Sequence, residues 1–234
     1  MSSSEPAFEA PWRAGLRGAR ANALPGFLLQ AGALALVLAY YRHAPTREMF
    51  GRLAAFREES GVVFGIVSTG LFGGLIPALY LFARRATRHR YTWSQAAGLI
   101  AFWAYKGLEI DVVYRLQAQF VGTGNDPATI AIKMLLDQFV YCPFFAVPVT
   151  VLVYAWVDAH YAAAPVVADL RAPRWYARRV TPVLLSNVAV WVPAVCIIYA
   201  LPTPLQLPLQ NLVLCFFTLL LAHVTQRTPA TETR

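Results

Sequence analysis

Charge is what this 234-residue chain has least of. Asp, Glu, Lys and Arg make up 14% of it, against 58% hydrophobic residues and a mean hydropathy of +0.49. An ordinary soluble domain carries about 25% charge, so the balance excludes a water-covered globule and implies one helical membrane bundle. Lysine is scarcer still: of 20 basic residues only Lys106 and Lys133 are lysine, and the rest are arginine. With abundant alanine, that bias points to a GC-rich genome and toward a bacterial source. Cysteine is limited to Cys142, Cys196 and Cys215, all in apolar runs and without metal-ligand spacing, which excludes a disulfide framework.

Catalytic signatures are missing too. His43 and His89 fall in polar stretches and His160 and His223 near the ends of apolar runs, none at metal-binding spacing with another histidine. Asp158 and His160 are two apart and do not share a helix face. There is no GxGxxG, P-loop or GxSxG, and GTGND at 122–126 reads as a turn. No nucleophile–base pair stands out, so neither an enzyme nor a cofactor is expected. The net charge of +8 does not indicate nucleic acid, because the arginines flank apolar runs where anionic lipid headgroups would meet them. Glu5, Glu9 and the lack of a small-residue cleavage site argue against a secretory signal or a mitochondrial transit peptide at the N-terminus, and TPATETR is not a peroxisomal address.

What the chain has is long apolar runs, at about 23–41, 61–83, 95–119, 129–157, 181–200 and 206–225. Each approaches the roughly 20 residues that cross a hydrocarbon core. The expected architecture is an all-α polytopic helical membrane bundle of about six transmembrane spans. Thr92 with Gln95 forms a capping-box pattern, and Asp126-Pro127 and Thr181-Pro182 each place a capping side chain before a proline. Residues 42–60 read as a loop or short surface helix with Met49, Phe50, Leu53 and Phe56 on one side. Trp93, Trp156, Trp175, Tyr176 and Tyr91 fall where interfacial aromatics anchor spans.

Six spans with the N-terminus inside put 13 of the 20 basic residues on the inner side, in segments 1–22, 84–94 (including Arg90), 158–180 and the C-terminal tail (Arg227, Arg234). Arg42, Arg47, Arg52 and Arg57 fall on the outer side and run against that count. Pro77, Pro143, Pro148 and Pro193 interrupt spans, each removing a helix hydrogen bond. They read either as packing kinks or, for Pro143 and Pro148, as the opening of a hydrated passage beside Asp137. Gly70 and Gly74, with Thr69 and Gly73, make a small-residue stripe along which another helix can approach.

The charges inside two of these runs carry the functional reading. Lys106, Glu109, Asp111 and Arg115 lie in the third, and Lys133 and Asp137, followed by Gln138, open the fourth. Ionisable groups cost about 2.5–3.5 kcal/mol each on insertion scales, so they turn toward protein or water. On the third helix Lys106, Glu109 and Gln117 occupy one side and Asp111, Arg115 and Gln119 the other, with pairing spacings of i,i+3 and i,i+4. Lys133, Asp137 and Tyr141 stack on one side of the fourth. Two readings stay open: a structural ion network locking these helices together, or the lining of an aqueous route for solutes.

The stretch from Lys133 to Phe145, KMLLDQFVYCPFF, resembles the signature of the 22-kilodalton peroxisomal membrane protein family, in its lysine, its Asp137-Gln138 pair and Pro143. Tyr105, Lys106 and Leu108 upstream, and Asn187, Trp191, Pro193, Tyr199 and Pro202 downstream, are similar to further family blocks. The resemblance spans about residues 60–226. Val192 separates Trp191 from Pro193, Cys196 and Ile198 replace amides, and the glycine-aspartate block is missing from 61–83, which marks a divergent relative. The resemblance implies a small helical membrane protein, with some members acting as channels for small solutes. The chain accordingly divides into an N-terminal extension (1–59), a family-like membrane domain (60–226) and a polar tail (227–234). A channel-like pore is expected, with a non-conducting scaffold as the alternative. Lipids and small solutes or ions are the expected partners, and a homo-oligomer is compatible. A bacterial inner membrane is the favoured location, otherwise a mitochondrial inner or peroxisomal membrane.

Overall fold

The computed structural model describes residues 11–85, 87–89 and 91–224. The acids Glu5 and Glu9, the arginines Arg90, Arg227 and Arg234, and the tail 227–234 lie outside the described residues, as does the side chain of His223. Among the described residues there is no strand. Nine helical stretches follow one another among the described residues: α1 (Pro11–Ala21), α2 (Ala23–Arg42), α3 (Ala44–Ser60), α4 (Val62–Ala83), α5 (Trp93–Phe120), α6 (Pro127–Asp158), α7 (Ala163–Arg171), α8 (Tyr176–Tyr199) and α9 (Thr203–Val224).

Among the described residues, four of these are long and apolar enough to cross a membrane: α2, α4, α6 and α8. The other two expected spans are present as helices, α5 and α9, but fall short of that mark. On α5 the four charged residues Lys106, Glu109, Asp111 and Arg115 lower the hydropathy, and α9 carries Gln206, Gln210 and Asn211 but no Asp, Glu, Lys or Arg. The four apolar helices turn most of their surface outward, with Phe27, Phe139 and Phe144 more than half exposed. Apolar patches of that extent are compatible with an integral membrane protein.

The start signals explain two helix ends and fail at a third. Thr92 accepts from the Gln95 backbone N–H at 3.2 Å while the Gln95 side chain accepts from Thr92 N–H at 3.0 Å, a closed capping box. Asp126 accepts from the N–H groups of Ala128 and Thr129 at 3.1 Å each. The Asp126 hydrogen bonds to Thr129 hold its carboxyl below the usual range. Thr181, by contrast, is not a cap. α8 already begins at Tyr176, Thr181 has helical φ and ψ, and its hydroxyl bonds the Tyr176 carbonyl at 3.4 Å.

The prolines do not act alike. Ile76 N–H bonds the Leu71 carbonyl and Val147 N–H that of Cys142, each five residues back, so wide π turns at Gly70–Leu75 and Asp137–Ala146 sit around or before Pro77, Pro143 and Pro148. A widened turn accommodates a ring that clashes with the carbonyl four residues earlier. The carbonyls of Pro143 and Ala146 are taken by the hydroxyls of Tyr176 (2.7 Å) and Thr150 (2.7 Å). Pro193 stays inside a regular stretch of α8.

The small-residue stripe of α4 meets α5. A β-carbon added at Gly65 would lie 2.8 Å from the Gly107 carbonyl, and one at Gly74 would lie 2.8 Å from the Ile100 Cα. With no β-carbons between them, the two backbones touch. The core lies where α8 and α9 cross α2 and α5, around Ile110, Tyr114, Val195, Ile198, Tyr199 and Leu207. Tyr41, at the end of α2, donates to the Ala200 carbonyl (2.6 Å) and accepts from Asn125 (2.7 Å), which gathers three chain turns at one end. At the other end Tyr161 donates to Ser94 (2.5 Å) and Gln95 to Val157 (2.9 Å). There Asp169, held below the usual carboxylate range by its bond to Arg179, ties α7 to the start of α8.

Candidate functional site

Within about three turns, α5 brings its charges to two sides, as the spacing predicts. On one side Asp111, with no solvent exposure, takes Arg115 at 2.7 Å and Arg57 at 2.5 Å. Arg57 is the residue that sequence reasoning missed. It was counted with the outer arginines, yet it is 3% exposed and forms the buried half of this triad. The inward turn of Arg57 also resets the face of α3: Phe50, Leu53 and Ala54 pack on the core, whereas Met49 and Phe56 point outward at 58% and 57% exposure. The i,i+3,i+7 spacing of Phe50, Leu53 and Arg57 was the available signal. Arg115 is half-exposed and still paired.

On the other side Lys106 and Glu109 form a buried ion pair, and the Tyr141 hydroxyl from α6 donates to the same Glu109 oxygen. Lys106 also donates to Tyr141 at 3.1 Å. This triangle joins α5 to the π segment of α6. Lys133 and Asp137 are both buried but make no ion pair with each other. Asp137 instead accepts from the Tyr199 hydroxyl at 2.8 Å and has a long thiol contact from Cys142 at 3.6 Å. Gln138 reaches the Cys142 sulfur at 3.7 Å. The Lys133 ammonium, 1% exposed, has no hydrogen-bond partner and lies 6.0 Å from the centre of the Tyr199 ring.

These groups border a cavity of about 230 Å³ between α5, α6, α8 and α9. Lys106, Asp137, Gln138, Tyr141 and Cys142 line it with Asn187 and Gln210, and Trp103, Tyr114 and Trp191 supply its aromatic walls. Tyr114 donates to Gln210 at 3.1 Å and meets Tyr199 edge-on. The prolines Pro143, Pro148 and Pro193 stay outside this lining. Three larger cavities lie elsewhere: an apolar one of about 340 Å³ along the glycine stripe, an apolar one of about 330 Å³ between α2 and α9, and one of about 510 Å³ at the Arg88–His160 end.

No protein-family model, curated protein or solved structure matches this chain. The chemistry of the site therefore rests on its own side chains. Among the described residues no cluster of His, Cys, Asp and Glu has metal-holding geometry. Of the predicted residues, Lys106, Asp137 and Gln138 meet at one cavity, Glu109 stands behind Lys106, and Asp111 and Arg115 face away with Arg57. Lys133 lies beyond Tyr199. A second polar lock, with Thr69 donating to Asn211 (2.9 Å) and Asn211 to Ser68 (2.9 Å), fixes α9 on α4.

Proposed function

We propose that the chain is an integral membrane protein of six spans whose central cavity, largely apolar with a few polar side chains in its lining, passes small solutes or ions across the bilayer. One observation carries the reading: a cavity bordered by Lys106, Asp137, Gln138 and Tyr141 lies between helices whose outer faces are apolar. Polar groups at that depth are expensive unless they serve a route or pair with one another. α5 and α9 are the remaining spans in this reading, admitted because most of their polar side chains, Lys106, Glu109, Asp111, Gln117, Gln206 and Asn211 among them, are buried. α5 has 28 residues, about 42 Å of helix, enough to cross. The two ends of the bundle, marked by Tyr41–Ala200 and Ser94–Tyr161, then correspond to the two membrane faces.

The sequence pattern of Lys133, Asp137-Gln138 and Pro143, with the later Trp191, Pro193 and Tyr199, is what favours kinship with the 22-kilodalton peroxisomal membrane protein family, as a divergent member. A bacterial inner membrane is the location this reading favours. The scaffold alternative draws on a different observation: Lys106–Glu109 and Arg57–Asp111–Arg115 are each matched within the protein. In the conducting reading those pairs hold the helices, and Lys106, Asp137 and the neighbours of Asp137 face the route.

Cys142 makes the proposal testable, because it lines the cavity beside Asp137. Proteoliposomes holding the protein should pass small polar solutes, and a bulky methanethiosulfonate should lower that flux several-fold. Cys142→Ser should conduct and resist the reagent. Flux indistinguishable from empty vesicles, with folded protein confirmed, would move the account to the scaffold.

A further inference from the structure

The charges around the central cavity do not balance, and the imbalance specifies a ligand. Lys106 is the cation of the lining, and Glu109 neutralises it in a buried pair. Asp137 has no such partner. Its Oδ2 accepts a neutral phenol hydroxyl from Tyr199 at 2.8 Å, its Oδ1 has the long contact from the Cys142 thiol, and the neutral Gln138 amide lies beside it. Lys133, the other buried cation nearby, makes no ion pair with Asp137 and does not line the cavity. A 6% exposed carboxylate whose hydrogen-bond donors are all neutral is an incompletely compensated charge.

The walls suit the missing positive charge. Trp103, Tyr141 and Trp191 border the same space, and indole and phenol faces attract a desolvated cation. The 230 Å³ is far more than a bare metal ion fills and leaves room for an organic cation of several heavy atoms. From this geometry we infer that the cavity is a binding site for a small organic cation, a protonated alkylamine or quaternary ammonium, with Asp137 as its counter-ion and the aromatic walls around its methyl or methylene groups.

The inference deepens the solute-route reading by naming its solute class, but binding is measured apart from transport. Trp103 and Trp191 report on the cavity directly, so intrinsic fluorescence of the purified full-length protein can be titrated with tetramethylammonium and ethylammonium chloride, with acetate and urea as controls. Saturable responses to the two cations, and none to acetate or urea, are expected. Asp137→Asn should weaken cation binding by at least about tenfold, as loss of a buried charge partner does. Asn187→Lys, which adds a cation to the lining without touching Asp137, should abolish it. Asn187→Lys decides the matter if Asp137→Asn fails to fold by circular dichroism. A response to acetate, or cation binding that survives either folded variant, overturns the inference. Cation binding with no flux in vesicles leaves the site standing and removes the conducting role. Flux of neutral solutes with no cation binding does the reverse.

Discussion

Asp111→Ala lowers stability by about 3–5 kcal/mol, the range found when one partner of a buried ion pair is removed. The size follows from Arg57. With Asp111 gone, a guanidinium that is 3% exposed loses the acceptor 2.5 Å away, and its Nε already has no partner. Arg115 cannot substitute, being of like charge. Replacing the buried pair by apolar residues, Arg57→Met with Asp111→Leu, should recover most of the loss, because no buried charge is then left unmatched. Reversible unfolding in mixed micelles, read as a double-mutant cycle, measures both effects. A loss below about 1 kcal/mol, the level of an exposed pair, would show that Arg57 does not reach Asp111.

Gly107→Val should be as damaging, for a steric reason. A β-carbon at Gly107 would run into the Gly65 carbonyl and come within 2.8 Å of the Thr69 Cβ. The main obstacle is backbone and cannot rotate away. α4 and α5 must therefore separate along the stripe where Gly65, Gly70 and Gly74 lie against α5. Overpacking costs about 1–3 kcal/mol where side chains can yield, and more where they cannot. We expect at least about 3 kcal/mol and a sharp fall in folded yield by size-exclusion chromatography. Gly32→Ala is the internal control: nothing lies within 4 Å of its added carbon, and alanine is the better helix former by about 1 kcal/mol. It should leave the protein as stable or more so. Equal yields for the two variants would contradict the close crossing.

Much of this was legible in the sequence, and for identifiable reasons. The Thr92–Gln95 box and the Asp126-Pro127 start are local signals, and both set helix ends as expected. The two-sided charge pattern of α5 follows from helix periodicity alone, and the structure places Lys106–Glu109 and Asp111–Arg115 on separate sides. Contacts distant in sequence were not legible. Arg57 meets Asp111 across 54 residues, and Tyr199 meets Asp137 across 62. Thr181 misled because the preceding residues continued the helix through a π turn, which no cap pattern forecasts. Arg47 and Arg57 ran against the charge-asymmetry count because both have local tasks: Arg47 donates to the carbonyls of Tyr40 and Tyr41 at the end of α2, and Arg57 neutralises Asp111.

The most direct test of the central claim is single-channel recording from the purified protein in planar bilayers, beside the Asp137→Asn variant. The account predicts discrete openings in the native protein and a changed ion preference in the variant, since a fixed carboxylate in the lining sets selectivity. Silent bilayers with folded protein, or openings that Asp137→Asn leaves unaltered, would contradict a route through the cavity between α5, α6, α8 and α9.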